Sequence, residues 1–134
     1  CINGIRIIDD SKATSLSALS AALVMTEEPV HLIAGGMLKE KDLTVCKSLL
    51  SKKAKGVYLF GRDAKLLEKE WADVVPCKCH EVMKEAVTDA FMNANNGDVI
   101  LLSPGCASFD QFSGYEERGR YFYKCMEDLK NERK

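Results

Sequence analysis

Ile7-Ile8-Asp9-Asp10-Ser11-Lys12-Ala13-Thr14 is the stretch that decides the fold. Its apolar start reads as a strand that runs straight into a polar turn carrying a carboxylate, an ammonium and two hydroxyls. Behind it Leu16, Leu19, Ala22 and Leu23 recur with a helical period. Strand, polar turn and helix form the unit of an open α/β sheet, whose ligands bind beyond the carboxyl ends of the strands. A second polar segment, Ser103-Pro104-Gly105-Cys106-Ala107-Ser108-Phe109-Asp110-Gln111-Phe112, follows the apolar run Val99-Ile100-Leu101-Leu102 in the same way. The two segments together form a candidate site that neither forms alone.

The alternation continues between them. Gly4 to Ile8, Val30 to Ala34, Gly56 to Phe60 and Val99 to Leu102 read as strands. Val74 to Cys77 reads as a weaker one, whose Pro76 implies an edge or a strand end. Ser15 to Met25, Leu43 to Leu50, Ala64 to Trp71, His80 to Asn93 and Glu116 to Lys130 read as helices, the first capped by Thr14 or Ser15. This order predicts an α/β fold, a Rossmann-like three-layer domain with a mostly parallel sheet flanked by helices. Right-handed crossovers place the carboxyl ends of the strands on one rim, with loops 9–14, 35–42, 61–63 and 103–115 along it. The 134 residues are the length of one domain, with no internal repeat and no low-complexity stretch.

Composition narrows the function classes. A hydrophobic share of 46% and a charged share of 29% describe an ordinary globule. The formal net charge of -1 supplies no field to gather nucleic acid or an anionic membrane. No apolar run is long enough to span a bilayer, and the first ten residues read as a strand rather than a signal peptide. Six cysteines, at 1, 46, 77, 79, 106 and 125, form no CxxC pair and no regular framework, which implies free thiols and a cytoplasmic setting. Cys77, Cys79 and His80 are too few for a structural zinc site, so no metal site is expected.

The rim loops hold Asp10, Ser11, Lys12, Thr14, Lys39, Lys41, Arg62, Ser103, Ser108 and Asp110. Ammonium groups beside hydroxyls and a helix N-terminus suit a carboxylate or phosphate ligand. Each residue also has a plain structural use: Thr14 as a helix cap, Lys39 and Lys41 as a solvated loop, Asp110 as a turn residue. Their convergence on one rim is what points to binding. There is no GxxxxGK[ST] phosphate loop, no GxGxxG and no nucleophile with an obvious base.

Three motifs carry a resemblance to a known family. Asp10-Ser11-Lys12-Ala13-Thr14 resembles the DSKAT(N) motif that opens a helix in the C-terminal domain of Mur ligases. Gly35-Gly36, Lys39 and Asp42 resemble its GGxxKxxD loop. Leu102-Ser103-Pro104-Gly105-Cys106-Ala107-Ser108-Phe109-Asp110-Gln111-Phe112, continued by Tyr115-Glu116-Glu117-Arg118-Gly119, resembles LSPACASxDQFxxFxxRG. Ser15 stands at a usual Asn, Gly105 at a usual Ala, Tyr115 at a usual Phe, and Met37-Leu38 at a usual Asp-containing turn. The resemblance implies that residues 1–134 are the amino-acid-binding C-terminal domain of a longer, three-domain, ATP-dependent amide ligase. That ligase would add D-glutamate to UDP-N-acetylmuramoyl-L-alanine in peptidoglycan synthesis, and so serve cell-wall biogenesis, cell shape and division.

In such an enzyme ATP phosphorylates the carboxylate of the nucleotide sugar and the D-glutamate amine attacks the acyl phosphate. ATP and Mg2+ would be held mainly by the central domain, and the uridine nucleotide by the N-terminal one. By the resemblance, Thr14, Lys39, Ser108, Phe109 and Tyr115 would hold D-glutamate, with Lys41 the alternative to Lys39. Asp10 and Lys12 would face the nucleotide, Lys12 at the reacting phosphate. The chain alone would be inactive. Other readings are another Mur ligase, a folylpolyglutamate synthase, or a stand-alone α/β ligand-binding module.

The cysteine reading is testable. Titration with a thiol reagent under denaturing, non-reducing conditions is expected to count six reactive groups, and fewer would reveal a disulfide or a bound metal.

Overall fold

The computed structural model describes residues 2, 4–27, 29–39, 42–108 and 111–132. Apolar runs and amphipathic stretches alternate along the chain, and the elements follow them: β1 (Arg6–Asp9), α1 (Leu16–Met25), β2 (Val30–Gly35), α2 (Lys47–Lys53), β3 (Ala54–Phe60), α3 (Ala64–Trp71), β4 (Cys77–His80), α4 (Met83–Asn93), β5 (Val99–Leu102) and α5 (Tyr115–Glu132). The strands form one sheet in the order β1-β5-β2-β3-β4, and every neighbouring pair is parallel. The expected α/β fold with a parallel sheet between helices is the one observed.

The central strands β2 and β5 are buried along their whole length, as parallel strands covered on both faces must be. Their side chains alternate between two cores. Leu32, Ala34 and Leu101 join Leu16, Leu19, Leu50, Leu67 and Trp71, under α1, α2 and α3. Ile33, Ile100 and Leu102 join Val87, Phe91, Phe122 and Met126, under α4 and α5. Neighbouring strands β1 and β5 therefore send their following helices to opposite faces. That divergence opens a crevice between the two loops, the switch point at which such sheets bind ligands.

The helix expected over His80 to Asn93 begins at Met83, because His80 is the last residue of β4, and two further elements differ from the sequence reading. The helix expected over Leu43 to Leu50 begins at Lys47, because the Asp42 carboxylate accepts from the Thr44 amide at 3.0 Å and its hydroxyl at 2.6 Å. That turn competes with the helix, and the Trp71 indole holds the Leu43 carbonyl at 2.8 Å. The strand expected over Val74 to Cys77 instead runs Cys77–His80. The Val74 and Val75 amides turn back to the Trp71 carbonyl, and pairing with β3 sets Cys77 opposite Val57. Pro76 precedes the edge strand, where its missing N–H costs nothing. No disulfide joins Cys46, Cys77, Cys79, Cys106 and Cys125. Among the described residues no group of three or more His, Cys, Asp or Glu side chains converges as a metal site, and no helix is long and apolar enough to cross a membrane.

The rim opposite the crevice holds a buried polar cluster. His31 on β2 meets the Tyr58 hydroxyl at 3.0 Å through Nδ1 and the Asp98 carboxylate at 2.9 Å through Nε2. Burial pushes the Tyr58 phenol up to about 12, so it remains protonated and able to donate. Burial also pushes the Asp98 carboxyl up, but the Asn95 amide, His31 and Lys55 outweigh it and hold it below the usual range. A carboxyl depressed by folding contributes stability above its unfolded value of about 3.9, and that contribution is lost as pH falls through the folded value. Asp98→Asn is therefore expected to flatten the acid limb of a denaturation-midpoint profile below about pH 4. An acid limb as steep as that of the unsubstituted protein would contradict this.

Candidate functional site

The turn after β1 is shaped before any ligand is considered. Asp9 accepts the Ser11 amide at 2.9 Å, and the Asp10 carbonyl accepts the Ala13 amide at 2.9 Å. Ser15, not Thr14, caps α1: its hydroxyl accepts the Ala18 amide at 3.1 Å. Thr14 is thus relieved of capping and stands half-buried at the helix entrance. Ser15 in place of Asn exchanges one strong N-cap residue for another. Asp10 is tied across the crevice, accepting from the buried Ser103 hydroxyl at 3.1 Å, while Lys12 stays exposed.

Between the turn after β1 and the start of α5 lies a cleft of about 480 Å³ lined by Asp9, Asp10, Lys12, Tyr115, Gly119 and Tyr123 among others. Asp10, Lys12 and Tyr115, three of the expected site residues, therefore share one cavity. Tyr115, at the first turn of α5, is 43% exposed, enough to present its ring to a ligand.

The Gly35-Gly36 pair builds the next loop. Both have positive φ, +136° and +128°, which L side chains rarely adopt. A Cβ at Gly35 would collide with the Phe60 carbonyl, and one at Gly36 with the Ala107 carbonyl. Past the glycines, Met37 and Ala107 exchange backbone hydrogen bonds at 2.8 and 2.9 Å in an antiparallel bridge. Lys39 lies two residues beyond that bridge on one strand, and Ser108 one residue beyond it on the other. Lys39 is exposed, and Ser108 is buried at the base of its loop, with its carbonyl accepting from Gln111 and Phe112. Arg62 pairs with Asp63 at 2.9 Å. Phe109, Asp110 and Lys41 lie outside the described residues.

Three further residues organise these loops in roles that the sequence did not disclose, although Arg118 and Gly119 close the third motif. Asp63 accepts the Leu38 amide at 2.7 Å, fixing the stem of the Lys39 loop. A hydrogen bond from Arg62, against burial and with help from the Leu38 amide, holds the Asp63 carboxyl below the usual range. Arg118 is wholly buried, and its guanidinium donates to the Ser11 carbonyl at 2.7 Å and the Cys106 carbonyl at 3.0 Å. Gly119 lets α5 approach the turn: a Cβ there would lie 2.6 Å from Ser11 Oγ and 3.0 Å from Asp9 Oδ2. The signal for Arg118 was a charge on the apolar stripe of α5; Asp63 had none.

Fold and rim together define a class, an α/β domain with a parallel sheet whose ammonium and hydroxyl groups line the crevice between diverging loops. Comparison with known proteins narrows the class. The family model described as "Mur ligase, glutamate ligase domain" matches residues 1–106, and the chain belongs to that family. It is 38% identical over 131 residues to the UDP-N-acetylmuramoylalanine–D-glutamate ligase of Lawsonia intracellularis, covering 98% of this chain and 30% of that protein. With the ligase of the same name from Caldicellulosiruptor bescii it shares 42% over 131 residues, 96% of this chain and 28% of the other. The chain thus spans less than a third of these curated relatives.

Two solved structures share the fold. Escherichia coli FolC in complex with ADP superposes with a TM-score of 0.54 at 20% identity, over 90% of this chain and 28% of that one. A Haemophilus ducreyi domain, assigned to a UDP-N-acetylmuramate:L-alanyl-γ-D-glutamyl-diaminopimelate ligase, gives 0.52 at 15% identity, over 97% and 92%.

The close approach at Gly119 sets two effects against each other. Alanine would gain about 1 kcal/mol of helix propensity, while overpacking against Ser11 and Asp9 costs about 1–3 kcal/mol. Gly119→Ala is expected to lose up to about 2 kcal/mol by denaturant titration. A variant more stable than the parent would show that the turn yields freely.

Proposed function

We propose that this chain is the amino-acid-binding C-terminal domain of a longer, ATP-dependent ligase that joins D-glutamate to UDP-N-acetylmuramoyl-L-alanine in peptidoglycan synthesis, in the cytoplasm. One observation supports it above the rest. The 103–108 loop is bonded at once to the turn bearing Asp10 and to the loop bearing Lys39, in a chain about 40% identical to ligases of that name.

D-Glutamate brings two carboxylates and an amine. An exposed ammonium at Lys39 and the hydroxyls of Thr14 and Ser108 suit the carboxylates, and the aromatic rings of Phe109 and Tyr115 suit the apolar methylenes. Holding both carboxylates leaves the amine as the free end, directed at the acyl carbon. Asp10 and Lys12 suit the phosphate side. The Lys12 ammonium neutralises charge on the transferring phosphoryl group, and Asp10, steadied by Ser103, faces the nucleotide. ATP arrives as Mg2+ nucleotide on the central domain, so ADP release requires the longer protein. The 134-residue chain on its own hydrolyses no ATP.

The test is an assay of the longer protein with UDP-N-acetylmuramoyl-L-alanine, ATP and D-glutamate, read as ADP formed. A charged hydrogen bond is worth about 1.5–3 kcal/mol, or about ten- to a hundredfold in an equilibrium constant. Ser108→Ala is expected to raise the D-glutamate KM by about that factor while the ATP and nucleotide-sugar constants move less. Lys39→Ala should do as much or more. If Lys39→Ala is silent and Lys41→Ala is not, Lys41 holds the carboxylate; if both are silent, the loop is merely solvated. Preference for another amino acid over D-glutamate would overturn the substrate.

A further inference from the structure

A cation with no exposed surface needs its donors met, because burying charge is costly. Arg118 is such a cation. It stands on the stripe of α5 that otherwise presents Phe122, Cys125, Met126 and Leu129 to the core. Its two terminal nitrogens reach different loops: Nη2 donates to Ser11 at 2.7 Å, and Nη1 to Cys106 at 3.0 Å. Ser11 lies in the turn after β1, between Asp10 and Lys12. Cys106 lies in the loop after β5, two residues before Ser108. One rigid side chain therefore spans the crevice between diverging loops, and it does so from beneath. On the upper side the Gly105 amide reaches the Ala13 carbonyl at 2.9 Å and the Ser103 hydroxyl reaches Asp10 at 3.1 Å.

We propose that Arg118 is a positioning residue of the ligase reaction, which holds the turn carrying Asp10, Lys12 and Thr14 in register with the loop carrying Ser108. The inference rests on the ligase reading above. Arg118 touches no substrate, since its whole surface is covered. Its planar fork fixes the angle between two carbonyls, and a lysine, with one nitrogen on a flexible stem, does not. The groups that face the phosphate and the groups that grip the amino acid are thereby set against one another by the guanidinium together with the two bonds above it. Its loss leaves the two sets joined by the upper bonds alone and free to tilt about them, and a displacement of about 1 Å between reacting groups is enough to slow a reaction about a hundredfold.

The test compares Arg118→Lys and Arg118→Met in the enzyme that contains this domain, by steady-state kinetics, melting temperature and amide hydrogen exchange. In Arg118→Met the D-glutamate KM is expected to rise about ten- to a hundredfold while kcat falls, with Arg118→Lys intermediate. A role confined to stability predicts that kcat falls with the folded fraction while KM stays put in both variants, and that result overturns the proposal. Should Arg118→Met fail to fold, Arg118→Lys decides alone, and an unchanged D-glutamate KM in it counts against positioning.

Exchange separates this failure from failure of the ligase reading. If the unsubstituted enzyme never consumes D-glutamate, the reading of substrate falls. The Gly105 amide still reports whether Arg118 couples the loops: faster exchange in Arg118→Lys, with β2 amides unchanged, upholds the coupling, and equal exchange refutes it.

Discussion

Hydrogen bonding in this sheet does not stop where the strands stop, and the candidate site depends on that continuation. The Asp10 amide bonds to Leu102 at 2.7 Å, Ser103 to Ile33 at 3.2 Å, Gly35 to Pro104 at 3.1 Å and Asp63 to Gly36 at 3.1 Å. Each rim loop is thus bonded to its neighbour before it departs. Over strands as buried as β2 and β5, backbone groups have little water to fall back on, and an unmet buried donor or acceptor costs about 1–3 kcal/mol. The loops are therefore held in place by the same requirement that pairs the strands.

The charged groups of the rim divide into two kinds. Arg118, Asp63 and Asp10 each hydrogen-bond to a neighbouring loop, and they set the positions of those loops. Lys12 and Lys39 are exposed, each on a turn so fixed. Exposed ammonium groups on a fixed frame lose little on meeting an anion, because the frame rather than the ligand has already met the ordering cost. With a formal net charge of -1 the chain has no global field to gather anions, so its positive groups act only through local arrangements such as this one.

Where local chemistry governs an element, the sequence told its position. Ala64–Trp71 and Val99–Leu102 match their expected bounds at both ends, since a single helical stripe and an unbroken apolar run admit one reading. Where tertiary bonds govern, it did not. The Trp71 indole, 28 residues away, holds the Leu43 carbonyl ahead of α2, and β4 takes its register from β3 rather than from its own pattern. The same division holds at the site. The turn residues Asp10 to Thr14 were legible from a strand running into a polar helix entrance. Asp63 was not, because its bond to Leu38 crosses 25 residues and leaves no local trace. Arg118 was half legible: a charge on an apolar stripe announces a buried partner without saying which.

Ser103 reaches Asp10 across 93 residues of chain, and Arg118 reaches Ser11 across 107. Contacts so distant in sequence form late, because the entropy of closing long loops must be met before they stabilise anything. Synthesis proceeds from the N-terminus, so β1, β2 and β3 exist before the strand that will lie between the first two of them. During that interval β1 and β2 must stay apart, leaving room for β5. The candidate site's rim is consequently among the last features of the chain to come into being, and a ribosome that has delivered every strand but the fifth has delivered no such rim at all.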